Sequence, residues 1–160
     1  MPSPKSIESG IDFSRVDTSR KHPLGLEVPA DDGCVYKYVR AGGGLTANNF
    51  VCIDYAEGVN DVEQTDAVSE VFAGIVSVAL SDNEYGWIKV KGVHVGANVA
   101  TGVAAGDKLG STATAGRADK LDASSTVTQA EARAAIAAAA GIGVQALTAE
   151  SSNAATVILF

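Results

Sequence analysis

Short apolar runs separated by turn residues recur along most of this 160-residue chain. The clearest pair lies within residues 74–92, where residues 75–80 and 87–90 are rich in β-branched and aromatic side chains and the polar stretch 81–84 lies between them. Turn-type residues between two such runs predict a β-hairpin. Residues 34–40 alternate Cys, Tyr and Tyr on one face with Val, Lys and Val on the other, which predicts another strand.

The end of the chain repeats this hairpin pattern. Residues 141–147 align without gaps on residues 74–80, with Gly, Ile, Ala and Leu in matching places, and each copy is followed by a polar turn and a second apolar run. Further short apolar runs follow at a spacing of about 8–12 residues, which is typical of β-sandwiches and β-barrels. The sequence therefore predicts a mainly β fold, a small β-barrel or sandwich of hairpins, over residues 31–160.

Two segments depart from this pattern. Residues 1–30 hold all four prolines of the chain, together with many charged and small residues. Such a segment cannot pack a core alone, so we expect an extended N-terminal arm that docks on a partner or, alternatively, a disordered terminus. Residues 128–140 are Ala-rich, begin with the Thr-x-x-Glu spacing of a capping box and precede Gly141, which predicts one short helix.

Composition and charge narrow the possible partners. Hydrophobic residues make up 46% of the chain but aromatic residues only 6%, so we expect a core with few large side chains. The net charge of -7 argues against a nucleic-acid partner, which requires clustered Lys and Arg. The sequence contains no apolar run long enough for a membrane span and no secretory signal, so Cys34 and Cys52 are expected to be reduced core residues.

Residue types that carry catalysis or bind metals are few and scattered. The chain has two histidines, and His94 lies between two valines without the spacing of a metal site, so we expect a structural role for it. The acidic stretch 54–70 lacks the glycine of an EF-hand loop, and the Gly-x-Ser-x-Gly signature of a hydrolase does not occur. We therefore expect no enzyme, no cofactor and no metal site, and we expect Trp87 to pack in the core or in an interface.

A succession of short motifs runs through residues 31–160. In order they are Asp-Gly at 32–33, Tyr-Lys-Tyr-Val-Arg-Ala-Gly-Gly at 36–43, Leu-Thr-Ala at 45–47, Ala-Gly-Ile-Val at 73–76, Tyr-Gly-Trp-Ile-Lys-Val-Lys-Gly at 85–92, Ala-Ala-Gly-Asp-Lys-Leu at 104–109, Ile-Gly-Val-Gln-Ala-Leu at 142–147 and Val-Ile-Leu at 157–159. In this order the motifs resemble those of the capsid decoration proteins, or cement proteins, of tailed bacteriophages.

This resemblance implies a β-rich structural protein of the virion that binds the outer surface of the mature phage capsid and stabilises the shell. Its partners would be the major capsid protein and further copies of itself, as a homotrimer on the capsid exterior, after synthesis in the host cytoplasm. The arm residues expected to contact the capsid are Ile11, Phe13, Val16, Leu24 and Leu26. The residues expected to form oligomer contacts are Tyr36, Tyr38 and Trp87.

Two other classes of protein stay open at this point. One is a surface carbohydrate- or receptor-binding β module, which requires exposed aromatic side chains near polar loops. The other is a small enzyme, which the lack of any nucleophile–base pair disfavours. For the arm, we expect deletion of residues 2–28 to leave a folded domain that no longer binds capsids.

Overall fold

The computed structural model describes residues 4–6, 10–54, 56–58, 60–67, 70–121 and 144–160. This part of the chain forms strands and connecting turns, and no helix occurs within it. The strands are β1 (Glu27–Pro29), β2 (Val35–Ala41), β3 (Phe50–Ile53), β4 (Asp61–Gln64), β5 (Phe72–Val76), β6 (Tyr85–Asn98), β7 (Lys108–Ser111), β8 (Ala118–Lys120), β9 (Val144–Ala146) and β10 (Ala154–Leu159). The expected mainly β fold is confirmed, whereas the expected helix at residues 128–140 lies outside the described residues.

Five of the strands close into a small barrel in the order β2, β4, β3, β5 and β6, and β6 pairs with β2 to complete the ring. The β2–β4 pair is parallel and the other four pairs are antiparallel. The predicted hairpin at residues 74–92 is present, because β5 and β6 pair with Ile75 opposite Lys89. The expected β-barrel is therefore confirmed, and its closure leaves no free edge between these five strands.

Strand β6 continues beyond the barrel into a second set of strands. Its later residues pair with β10, and the order then runs β10, β9, β7 and β8. The second copy of the sequence repeat is also a hairpin, because β9 and β10 pair antiparallel with Val144 opposite Leu159. A bridge from Val99 to Ala118 brings β8 back beside the end of β6. One long strand therefore joins the barrel to the second sheet.

The backbone at Gly92 allows β6 to pass from the barrel into the second sheet. Gly92 has φ +103°, in the region that favours glycine, and Cys34, the residue before β2, approaches it closely. A Cβ atom at this position would lie 2.7 Å from Cys34 Sγ and 3.1 Å from Cys34 Cα. The strand can therefore turn away from β2 here only because residue 92 has no side chain.

Buried side chains form three clusters. The first fills the barrel and includes Val39, Val51, Val62, Val76 and Ile88. The second lies between the barrel and the second sheet and includes Phe50, Phe72, Ile75, Val157 and Leu159. The third lies on the outer side of β2 and β6, where the residues before β1 cover the barrel. This third cluster contains most of the residues that the sequence analysis assigned to binding.

Candidate interaction surfaces

Residues 10–30, called here the docked segment, lie along the outside of the barrel. Asp17 and Tyr85 exchange backbone hydrogen bonds of 2.9 and 2.8 Å, and β1 pairs antiparallel with β2. The Tyr38 hydroxyl donates to Asp17 Oδ2 at 3.0 Å, while Arg15 Nε donates to Asp17 Oδ1 at 3.0 Å. The segment is therefore held by backbone pairing and by a buried carboxylate whose two oxygens both accept hydrogen bonds.

Four rings form an aromatic cluster between the docked segment and the barrel: Phe13, Tyr36, Tyr38 and Trp87. Phe13 stacks on Tyr36 with ring centroids 4.4 Å apart, and its ring meets Trp87 edge-on at 5.0 Å. Tyr38 and Trp87 lie side by side on β2 and β6, with centroids 5.0 Å apart. Such offset-stacked and edge-to-face pairs are the favoured arrangements of aromatic rings.

Within one chain, this packing brings the residues predicted to contact the capsid against the residues predicted to form oligomer contacts. Phe13 is buried in the aromatic cluster, and Ile11, Leu24 and Leu26 pack against it. Val16 packs against the cluster inside the barrel instead. In this conformation residues 10–30 are docked on their own barrel, whereas the sequence analysis expected them to extend as an arm.

The residues predicted to form oligomer contacts lie in the same aromatic cluster. Tyr36, Tyr38 and Trp87 are 1%, 0% and 3% exposed, so in this conformation their side chains offer almost no surface to another chain. The sequence could not separate these roles, because aromatic side chains are enriched both in cores and in interfaces. The same three residues bury the docked segment.

A different surface exposes large apolar side chains. Among the described residues these are Val95 at 74%, Phe160 at 61%, Leu147 at 43% and Val93 at 42% exposure. Val93 lies opposite Ile158 of β10, and Ile158 lies opposite Gln145 of β9, so these three side chains share one face of the second sheet. Val95, Leu147 and Phe160 each lie two residues further along the chain than one of the three, which places them on the same side by strand alternation. We call Val93, Val95, Leu147, Ile158 and Phe160 the outer apolar face.

The sequence analysis missed this face, although two signals for it are present. In Val93-His94-Val95 the histidine is buried and both valines point outwards, which inverts the usual arrangement of a surface strand. The second signal is the uninterrupted apolar run of residues 157–160, in which Val157 and Leu159 are buried while Phe160 is exposed. An apolar run without alternation indicates that both sides of the strand have an apolar environment.

His94 has a structural position in the second sheet. Its Nε2 lies 3.0 Å from Asn48 Oδ1, and burial together with the nearby charge of Lys89 lowers the pKa of His94 to about 4. Lys89 is itself buried, and its ammonium group donates to Val93 O at 2.9 Å and lies 3.6 Å from Asp32 Oδ2. A neutral histidine bonded to an asparagine holds the strand beneath the outer apolar face.

Three residues bring possible metal-ligand atoms together, because the thiol of Cys52 and the carboxylates of Glu63 and Glu70 lie within 4.8 Å of one another. Glu70 already serves the local turn, since its Oε2 accepts the backbone N–H groups of Asp66 and Ala67 at 2.8 and 3.0 Å. Burial, then the charge of Glu70, raises the pKa of the Cys52 thiol, which lies 3.5 Å from Glu70 Oε1. Glu70 is therefore already used by the hydrogen bonds of a turn, and Cys52 is a protonated thiol, whereas the thiolate is the form that binds metals.

Comparison with known protein families, with curated protein sequences and with solved structures finds no match to this chain. In the described part of the chain, no helix is long and apolar enough to cross a membrane.

Proposed function

We propose that this chain is a structural virion protein that binds the outer surface of a mature phage capsid and stabilises the shell. The observation that carries the proposal is the outer apolar face, which stays exposed although the chain has a well-filled core elsewhere. Contiguous apolar patches on a protein surface commonly mark contact sites for other proteins. The order of motifs over residues 31–160 resembles that of decoration proteins, and this resemblance suggests a phage capsid as the partner.

We assign the capsid contact to the outer apolar face and not to the five residues that the sequence analysis placed on an arm. Phe13 is already buried within the chain, whereas Val95 and Phe160 are exposed and gain burial in a contact with a partner. Self-association as a homotrimer on the capsid remains part of the proposal. Repetition over a lattice lets a modest contact act with high avidity.

A protein that binds only the assembled shell stabilises it by linkage, because dissociation of the shell also requires release of the bound protein. This role requires no catalytic group. It requires a surface that is exposed in the free chain and covered on the capsid, which is the property that we assign to the outer apolar face.

The test has two stages. Particles from a lysate that contains this chain are separated on a density gradient, and mass spectrometry measures the ratio of the chain to the shell protein in the head band. A near-stoichiometric ratio supports the proposal, whereas intact heads that band without the chain refute it.

The second stage locates the contact. Heads stripped of the chain are mixed with purified wild-type protein, with Val95→Lys or with Glu27→Lys, which introduces the same side chain on exposed β1 away from the outer apolar face. We expect Val95→Lys to weaken binding by about tenfold or more and Glu27→Lys to bind as wild type, because a charge must be desolvated in the contact. Equal binding by both variants contradicts the assignment of the face.

A further inference from the structure

A cavity of about 310 Å³ lies where the docked segment crosses β6. Its walls include Ile11, Asp12, Arg15, Lys21, His22 and Trp87. The volume is at the lower end of the range for small-molecule sites, which combine apolar walls with a few convergent polar groups. The proposed capsid contact does not use this cavity, since the outer apolar face belongs to the second sheet.

Trp87 provides an unused hydrogen-bond donor at the cavity. The residue is 3% exposed, and none of the hydrogen bonds formed among the described residues uses its indole N–H. Every fully buried side-chain nitrogen and oxygen in the described part of the chain has a partner, so this N–H must retain contact with open space. Trp87 lines the cavity, which is therefore an available space for a hydrogen-bond partner of this N–H.

Charged groups of both signs converge on the same cavity. Arg15 uses its Nε for Asp17, but its side chain is 68% exposed and its terminal nitrogens form no hydrogen bond with the described residues. Lys21 lines the cavity and forms no ion pair with a described residue. Two cationic groups can therefore donate hydrogen bonds to a bound carboxylate.

One carboxylate of the cavity can accept a hydrogen bond. Asp12 Oδ1 accepts the backbone N–H and the hydroxyl of Ser14 at 2.9 and 2.6 Å, which leaves Oδ2 available. Those bonds, with smaller effects of Lys5 and Arg15, lower the pKa of Asp12, so the group stays ionised at neutral pH. The second carboxylate, Asp17, is fully used by Arg15 and Tyr38.

We infer that this cavity binds a small molecule that carries one carboxylate together with hydroxyl groups, the chemistry of an acidic monosaccharide. The ligand carboxylate pairs with Arg15 and Lys21, while a ligand hydroxyl donates to Asp12 and accepts from the Trp87 indole N–H. A ligand with more negative charge is disfavoured by Asp12, and a neutral sugar leaves Lys21 without an ion-pair partner among the described residues. His22 closes one side, with its ring tilted against Trp87 at a centroid distance of 5.4 Å.

The single tryptophan of the chain makes this inference directly measurable. In a ¹⁵N-labelled sample, the one indole N–H resonance reports on the cavity, and intrinsic fluorescence gives a second readout. D-glucuronate is titrated as the probe, with D-glucose as the arm that lacks the carboxylate and acetate as the arm that lacks the hydroxyls. We expect a saturable shift of the indole resonance with glucuronate but not with glucose or acetate. The expected Kd for glucuronate is on the order of 1 mM, as is usual for a ligand of this size.

Variants test the assignment of the two cations. Lys21→Gln is the main variant, because the side chain of Lys21 has no role in the docking of the segment, and Arg15→Gln is the second. We expect each to weaken glucuronate binding about fivefold to tenfold, while Arg20→Gln, a neighbouring cation that does not line the cavity, leaves binding unchanged.

Three results overturn the inference. If glucose binds as well as glucuronate, the cavity does not recognise the carboxylate. If acetate binds as well as glucuronate, the cavity does not recognise the hydroxyl groups. An indole resonance that stays in place at glucuronate concentrations far above the expected Kd shows that the cavity does not take this class of ligand. Each result leaves the capsid proposal untouched, because that proposal is tested at the outer apolar face.

Discussion

The ring of Phe13 stacks on the ring of Tyr36, with centroids 4.4 Å apart and planes within 10° of parallel. Phe13 belongs to the docked segment and Tyr36 to β2 of the barrel, so the contact joins the first part of the chain to the closed sheet. The docked segment and the barrel thus share a core, which makes the stability of one depend on the other.

The first prediction concerns Phe13 itself. We expect Phe13→Ala to lower the free energy of unfolding by about 3–5 kcal/mol, because the substitution removes a 2%-exposed ring and leaves a cavity between Tyr36 and Trp87. Urea unfolding followed by Trp87 fluorescence measures the change. The matched control is Phe160→Ala, since that phenylalanine is 61% exposed, and we expect a change of less than about 1 kcal/mol there. Equal effects at the two positions would contradict the packing described here.

The second prediction revises an expectation from the sequence. Deletion of residues 2–28 removes Phe13 and Asp17 and exposes the rings of Tyr36, Tyr38 and Trp87. We now expect the truncated chain to lose cooperative unfolding and to bind a hydrophobic dye, because its aromatic cluster faces water. Calorimetry and dye fluorescence measure this. A truncated chain that unfolds as sharply as the full chain would show that the segment contributes little to the core.

The third prediction concerns the path of β6. Gly92→Ala forces a side chain into a backbone with φ +103° and brings its Cβ against Cys34, whereas Gly96→Ala introduces the same methyl group at φ +80° with nothing within 4 Å. We expect a loss of about 1–2 kcal/mol from backbone strain for Gly96→Ala and a clearly larger loss for Gly92→Ala. Chemical denaturation of the two variants side by side separates the steric contribution from the strain. If Gly96→Ala lowers the free energy of unfolding as much as Gly92→Ala, the close approach of Cys34 to Gly92 does not affect stability.

Local patterns predicted the strands well, because their causes are local. Alternation placed Tyr36 and Tyr38 on one face of β2, and both are buried. The polar residues 81–84 predicted the connection between β5 and β6. In each case the signal is a period of two or a turn composition, which a few neighbouring residues determine.

The candidate sites were less predictable, because they depend on contacts between distant parts of the chain. Nothing near Phe13 in the sequence indicates that Trp87 lies beside it, and a proline-bearing segment reads as an arm whether or not it docks. Gly92 reads as the end of a hairpin, yet its positive φ lets β6 continue into a second sheet. Which face of Val93-His94-Val95 points outwards depends on the pairing of β6 with β10, which joins distant parts of the chain.

The fourth prediction concerns the two cysteines, which are free and buried. Burial is the main cause that raises the pKa of both thiols, and the charge of Glu70 adds to it at Cys52. Because the thiolate is the reactive form, we expect both thiols to react with a disulfide reagent much more slowly in the native protein than after addition of denaturant. Single Cys34→Ser and Cys52→Ser variants assign each signal. Rapid labelling of the native chain at either position would contradict the burial of that thiol.

The last prediction concerns pH. The pKa of His94 is lowered to about 4 in the folded chain by burial and by Lys89, whereas a histidine in an unfolded chain titrates near 6.5. The unfolded chain therefore binds this proton first as the pH falls, so the free energy of unfolding decreases between about pH 6.5 and pH 4 and the loss is complete below that range. The difference in pKa corresponds to about 3 kcal/mol.

His94→Gln provides the comparison, because glutamine can still donate to Asn48 Oδ1 but does not titrate. We expect the variant to be moderately less stable than wild type at pH 7 and to lose less stability on acidification, so that the two stability curves converge towards pH 4. Asp12 and Asp32, whose pKa values are lowered, lose their contribution only at still lower pH and do so equally in both proteins. Parallel curves from pH 7 to pH 4 would mean that His94 is protonated without cost in the folded chain, and the neutral His94–Asn48 pair would then be the wrong description of this strand.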